Sequence, residues 1–326
     1  MSRSEFPGDI VPACCATLTK RYASFFNYRN TQTLEDLMET PPLRAMWFVT
    51  PALSAIATAM AASQQSTLIA VRNTSSDAQY DALVAGDVDV VVTAMDNVLA
   101  WNQRPGPRDF CIVAQIEATT PLTLVAQPGI RQLSDLAGAN ILVDSPDNGF
   151  VIALRAMLKE NGLADSSYLL TPAGGVKERF DALSNREGEA TLLGPPFDAL
   201  AIAKGMSAVA SIQRHYPVFP GQGVVMRRAN KGARQNVSGW LRELEQARTA
   251  VSQNTGWARE VLTVAGLPEA AVQAMLDTTP TTLRPDEAGI ALLIEHRKSL
   301  GLPGSFASYE SIVDASLLPN HLQDNV

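Results

Sequence analysis

Histidine and cysteine are scarce in this chain of 326 residues: His215, His296 and His321 on one side, Cys14, Cys15 and Cys111 on the other. Three cysteines cannot build a disulfide framework, and the adjacent pair Cys14 and Cys15 would join only in a strained ring. No histidine stands near a cysteine, so the ligand spacing of a zinc site is absent, and no metal or cofactor is expected. Basic charge is thin as well. Twenty-six Lys plus Arg face 33 Asp plus Glu, a net charge of −7, and no basic run exceeds Arg227-Arg228. That excludes the electrostatic footprint of a nucleic-acid partner. No segment is biased enough to be fibrous or disordered, and no membrane insertion is expected. What remains is apolar: 46% of residues are hydrophobic and 18% charged, enough in a chain this long for two lobes or one large α/β domain.

The first twenty residues hold Glu5, Pro7 and Asp9 and lack the apolar run of a secretory signal, so the chain as written reads as cytoplasmic. Met46–Ala62, MWFVTPALSAIATAMAA, imitates a signal region, and a start near Met46 would make the protein periplasmic. Pro51 and the hydroxyl residues of that segment favour a buried strand followed by a core helix.

Strand-like runs alternate with helical ones, the pattern of βαβ units around parallel sheets. Strands are predicted at Leu43–Val49, Thr67–Arg72, Val88–Thr93, Cys111–Glu117, Leu122–Gln127, Ala139–Val143, Ser167–Thr171, Ala190–Leu193, Ser207–Ile212 and Gln222–Met226. Helices are predicted between them at Ala52–Ser63, Ser76–Ala85, Asp96–Gln103, Gly149–Asn161, Val176–Ser184 and Phe197–Lys204. After Met226 the pattern is helical only, with Ala233–Asn254, Gly256–Ala265, Pro268–Asp277 and Pro285–Leu300. Thr67–Leu83 (TLIAVRNTSSDAQYDAL) and Ser167–Leu183 (SYLLTPAGGVKERFDAL) align without gaps, each as strand, polar loop and helix. This repeat argues for two lobes of one design.

Two such lobes set the carboxyl ends of their strands, and the helix starts that follow, across a cleft. The loops expected there are Thr50-Pro51-Ala52, Asn73-Thr74-Ser75-Ser76 and Thr93-Ala94-Met95-Asp96-Asn97 on one side. Ser145-Pro146-Asp147-Asn148-Gly149, Ala173-Gly174-Gly175 and Gly194-Pro195-Pro196 face them. Small and hydroxyl residues at helix starts leave backbone N–H groups free for a carboxylate, sulfonate or phosphate. Singly, Ser75, Ser76, Thr93 and Asn148 read first as helix caps, and only their convergence on one cleft separates that role from ligand binding. Asp96 and Asp198 read as acids at helix starts. Trp47, Met95, Trp101, Phe150 and Phe197 stand beside these loops, as an apolar wall or as core. No nucleophile elbow, phosphate loop, dinucleotide fingerprint or His-Glu-x-x-His is present. His215 is the one candidate for catalysis, His296 reads as a surface residue, and Arg242–Arg248 (RELEQAR) reads as a solvated helix face.

Asp135–Pro146 (DLAGANILVDSP), Gly194–Ala201 (GPPFDALA) and the stretch from Ser76-Asp77-Ala78-Gln79 to Thr93-Ala94-Met95-Asp96-Asn97-Val98 resemble the nitrate, sulfonate and taurine substrate-binding proteins of ABC importers. Their superfamily includes the pyrimidine-precursor proteins of thiamine synthesis. The resemblance spans about residues 41–316. It implies a type II periplasmic-binding-protein-like α/β fold: two lobes, the first discontinuous, a two-strand hinge and a helical C-terminal region. The implied division is an N-terminal extension at 1–40, lobe I at 41–125 and 215–326, and lobe II at 126–214. It also implies closure over a small organic ligand, with Thr50, Ser75, Ser76, Gln79, Thr93, Asp96 and Asn97 on one lobe. Ser145, Asn148, Gly149, Gly174, Gly175, Gly194 and Pro195 are implied on the other. Trp47 joins the candidate ligand residues from its own place beside the Thr50 loop. Three departures stand out: no recognisable secretory signal, about forty unmatched residues ahead of the first strand, and no cysteine-rich iron motif of the fungal pyrimidine synthases.

The expected function is binding of a small anionic or heterocyclic metabolite, with an ABC permease as partner. The alternative is a cytoplasmic enzyme on the same scaffold, such as a decarboxylase, a hydrolase or a biosynthetic enzyme for a small aromatic acid.

Overall fold

A computed structural model describes residues 41–61, 68–147 and 149–323. The extension 1–40 with Cys14 and Cys15, the start of the predicted strand at Thr67, and Asn148 lie outside the described residues. The strands are β1 Leu43–Trp47, β2 Leu68–Arg72, β3 Val90–Ala94, β4 Phe110–Gln115, β5 Thr123–Ala126, β6 Asn140–Val143, β7 Leu169–Pro172, β8 Ala190–Leu193, β9 Ser207–Ser211 and β10 Gln222–Arg227. The helices are α1 Ala52–Met60, α2 Ser76–Ala85, α3 Asp96–Trp101, α4 Val151–Glu160, α5 Val176–Ser184, α6 Phe197–Ala203 and α7 Ile212–His215. They continue as α8 Arg234–Gln253, α9 Thr255–Val264, α10 Glu269–Asp277, α11 Glu287–Ser299 and α12 Tyr309–Ile312. Each predicted element appears within a few residues of its expected place.

The strands form two five-stranded sheets, ordered β2-β1-β3-β10-β4 and β7-β6-β8-β5-β9. In the first, β1 is parallel to β2 and β3, and β10 runs antiparallel between β3 and β4. In the second, β6 is parallel to β7 and β8, and β5 runs antiparallel between β8 and β9. The two sheets thus share one plan, and the repeated segments fill the same place in each, β2–α2 and β7–α5. The chain passes between the sheets twice, at 116–122 and 212–221. Glu117 of the first passage accepts from Gln222 Nε2 at 2.9 Å. A Cβ on Gly221 would fall 2.6 Å from Glu117 Cβ, so glycine is what lets the passages run side by side. The expected lobe limits at 125/126 and 214/215 fall inside β5 and α7.

Alternation along β1 turns Leu43, Ala45 and Trp47 to one face, under α1, α8 and α9. Trp47 stacks on Trp240 of α8 at 6.5 Å between ring centres. Leu53, Ser54, Ile56 and Ala57 bury one side of α1. The segment from Met46 therefore completes a strand paired on both edges and a core helix, and a start near Met46 would cut β1. On the other face an apolar cluster runs unbroken from one sheet to the other, with Val98 and Leu99 of α3, Leu154 and Met157 of α4, and Ile290 and Leu293 of α11. Each such side chain stabilises by about 1.5–3 kcal/mol when fully buried. The lobes pack against each other along α4 and α11.

Candidate functional site

The carboxyl ends of β1, β2 and β3 carry a set of buried polar residues. Ser75 caps α2, its hydroxyl accepting from the Ala78 amide at 3.1 Å, and Asn73 Oδ1 accepts from the Ser75 amide at 3.2 Å. Gln79 Nε2 donates to the carbonyls of Val92 at 2.9 Å and Met46 at 3.4 Å, tying β3 to β1. Asn97 Nδ2 donates to Thr93 Oγ1 at 2.7 Å. These bonds fix the amides of Asn73 and Gln79, since only an N–H can meet a carbonyl and only an oxygen an amide. They leave Asn73 Nδ2, Gln79 Oε1 and Asn97 Oδ1 buried without a protein partner. Buried polar groups are ordinarily satisfied, so three orphans at one sheet end set this edge apart from the core around it.

The second lobe meets this edge through reciprocal carboxylates. Asp144, just past β6, accepts from the Ser76 amide at 3.3 and 3.4 Å, at the start of α2. Asp96, just past β3, accepts from the Gly149 amide at 2.9 Å, before α4. Each lobe therefore places its own carboxylate on a helix start of the other. Asp96 also receives Arg297 of α11 side-on, both contacts at 2.7 Å. Burial pushes the Asp96 carboxyl up, and the guanidinium opposes it. Burial pushes Asp144 up too, against the charge of Arg179 and the hydroxyl and amide of Ser76. Arg179 is lowered by burial, its Nη1 on the Gly174 carbonyl at 2.9 Å and its Nη2 on the Leu192 carbonyl at 3.2 Å.

At the mouth lies a cavity of about 150 Å³, lined by Phe48, Val49, Arg72 and Asn73 from the first lobe and Val176, Lys177, Glu178 and Phe197 from the second. Arg72 and Glu178 pair across it at 3.0 Å. A Cβ on Gly175 would lie 3.1 Å from the Phe48 ring, so that glycine allows close approach of the lobes, while Gly174 beside it takes the left-handed φ of +84.

The structure thus brings together Ser75, Ser76, Gln79, Thr93, Asp96, Asn97, Gly149, Gly174 and Gly175 at the facing edges. Ser145 is half-buried beside Asp144, and Gly194 and Pro195 are half-buried, Gly194 against the Pro121 carbonyl of the first passage. Thr50 is exposed ahead of α1. Trp47, expected at the ligand, is turned by strand alternation into the core against Trp240. Met95 and Trp101 are core, Phe150 packs on Phe219, and of the expected apolar wall Phe197 lines the cavity. Asp96 ties two lobes together besides opening α3. His215 is paired with Glu160 at 2.7 Å. Glu160 ends α4, about 15 Å of helix from the Gly149 end, so His215 does not join the cleft residues. His296 is buried, 4% exposed, against the rings of Tyr216 and Phe219. In RELEQAR, Glu245 is buried and bound side-on by Arg248, so that face is only partly solvated.

Phe48, Arg72, Asp144, Arg179 and Arg297 were not among the expected site residues. An acid directly after a buried strand signals Asp144 once the cleft edge is placed. Nothing local marks Arg297. Among the described residues, no group of three or more His, Cys, Asp or Glu is placed to hold a metal, and no helix is long and apolar enough to cross a membrane.

Comparison with protein-family models finds no match, and comparison with curated proteins finds none either. Solved structures do match. A ligand-binding component of an ABC-type import system from Staphylococcus aureus, with zinc bound, is 14% identical with a TM-score of 0.67, over 88% of this chain and 100% of that one. The alkanesulfonate-binding protein SsuA from Xanthomonas axonopodis pv. citri, bound to MOPS, is 17% identical with a TM-score of 0.65, over 86% and 99%. A Candida albicans gene product exhibiting the generic periplasmic binding protein structural fold is 13% identical with a TM-score of 0.66, over 84% and 96%. At these identities the likeness is one of fold, and it is the two-lobed periplasmic-binding-protein fold that the resemblance implies.

Proposed function

We propose that this chain is a solute-binding protein that closes its two lobes over a small organic anion with a flat apolar body and hands it to an ABC-type import permease. The observation that carries the reading is the cavity lined in equal parts by the two lobes. Phe48 and Phe197 supply aromatic lining for the ligand body, and Arg72 and Lys177 supply charge. Arg72 is held by Glu178 and Lys177 by Asp181, exposed pairs that re-partner at little cost. Ser76, Gln79, Thr93 and Asn97, with Asn73, receive the polar end, and Gly149, Gly174 and Gly175 let the second lobe close on it. Ligand shifts an open and closed equilibrium. That an importer component and an alkanesulfonate-binding protein share this fold supports the reading.

A thermal-shift screen of small organic acids, followed by titration calorimetry on the hits, tests it. At a hundredfold excess over its Kd, a true ligand stabilises by about 2.7 kcal/mol and is recovered unchanged after long incubation. No shift across the library, or conversion of the hit to product, would overturn the proposal.

A further inference from the structure

Ser76 holds the first helical position of α2, a helix of ten residues, and its amide is one of the donors a helix leaves unpaired. Beside it Asn73, 3% exposed, lines the cavity with an Nδ2 that has no partner, its Oδ1 being committed to the Ser75 amide. That donor set suits an anion, and the protein lays its own carboxylate on it, Asp144. We propose that Asp144 is a specificity-determining residue: it occupies the anion position at the start of α2, and a ligand's anionic group enters only by expelling it. Small anions without an apolar body to pack between Phe48 and Phe197 are thereby turned away. The inference rests on the reading of the cleft as the ligand site.

The distances separate this carboxylate from its counterpart. Asp96 is fixed by Gly149 at 2.9 Å and by Arg297 at 2.7 Å twice, within the range of strong charge-assisted bonds. Asp144 sits at 3.3 and 3.4 Å from its amide and is half-buried, so it is the releasable one. Arg179 on α5 attracts it and Asp77 on α2 repels it.

Calorimetric titration at fixed ionic strength with sodium ethanesulfonate and with sodium nitrate tests this on the full chain, on Asp144→Ala and on Asp144→Ala with Ser76→Pro. Proline suits a first helical position and removes the N–H in question. Ser75 before it is already extended, φ −154 and ψ 154. Asp144→Ala binds both ethanesulfonate and nitrate at least tenfold tighter than the parent, and the added Ser76→Pro returns both affinities to the parental level. Asp144→Asn serves the same comparison if the alanine variant does not fold. Unchanged or weaker binding after removal of the carboxylate overturns the proposal, as does a gain that survives Ser76→Pro. Either failure leaves the solute-binding reading standing wherever a library acid still binds the parent chain. That reading falls only with the library.

Discussion

Asp96 and Arg297, 201 residues apart in sequence, meet side-on with each side chain 1% exposed. Arg297 also donates to the Pro303 carbonyl at 2.6 Å and to the Asp147 carbonyl at 3.0 Å, so one guanidinium holds α3, the end of the C-terminal helix α11 and the loop before α4. Arg297→Met leaves a buried carboxylate without its partner and is expected to cost about 3–5 kcal/mol in urea unfolding. Asp96→Asn with Arg297→Met loses clearly less than the single variant. Equal losses in the two would show that the charge pairing is not what matters.

Asn97→Ala removes a buried hydrogen bond to Thr93, about 1 kcal/mol of stability, and with it the unpartnered Oδ1. A ligand found by screening should bind this variant at least tenfold more weakly while the unfolding midpoint moves little. Unchanged affinity removes Asn97 from the site.

His296 gives the protein an acid-sensitive joint. Burial among Tyr216 and Phe219 pushes its imidazole down to about 4 from an ordinary 6.5. Below pH 6.5 the unfolded chain takes up the proton and the folded chain does not. The stability this group contributes is therefore full above about 6.5, drains away as pH falls and is gone by about 4. The total is about 3 kcal/mol. His296→Phe should flatten the stability profile between those pH values. A profile as steep as the parent's would place the titration elsewhere.

Gly175→Ala tests closure. Its methyl would meet the Phe48 ring of the other lobe at 3.1 Å, and Glu178 Oε2 of its own lobe at 2.8 Å, a flexible carboxylate that can swing aside. Backbone strain is no issue, since φ is −67. The expected result is a several-fold loss of ligand affinity with an unfolding midpoint within about 1 kcal/mol of the parent. A loss of stability without loss of affinity would make Gly175 a packing residue only.

The architecture was legible because period and punctuation are local: VVVTA in β3, Ser75 ahead of α2 and Gly86 behind it, at φ +77, mark their elements without reference to the rest of the chain. The repeat of β2–α2 as β7–α5 carried the pairing of lobes. The direction a side chain takes was less legible. Trp47 and Met46 are neighbours in sequence and face opposite sides of β1, and no local rule says which side is the cleft. His296 reads in sequence as a surface residue, yet it and its neighbour Arg297 are buried, because what they bury against comes from Tyr216, Phe219 and Asp96. The amides at the helix starts, expected to be free for a ligand, are not all free. Asp144 and Asp96 take two of them.

The antiparallel insertion of β10 between β3 and β4 has a consequence for synthesis. As the polypeptide leaves the ribosome, β1 to β4 emerge first, yet β4 joins their sheet only through Gln222–Arg227, which lies between it and β3. The second sheet, continuous from β5 to β9, is complete before then. The half that is made first is finished last, and until β10 arrives the facing edges of β3 and β4 lie open to mispairing and proteolysis.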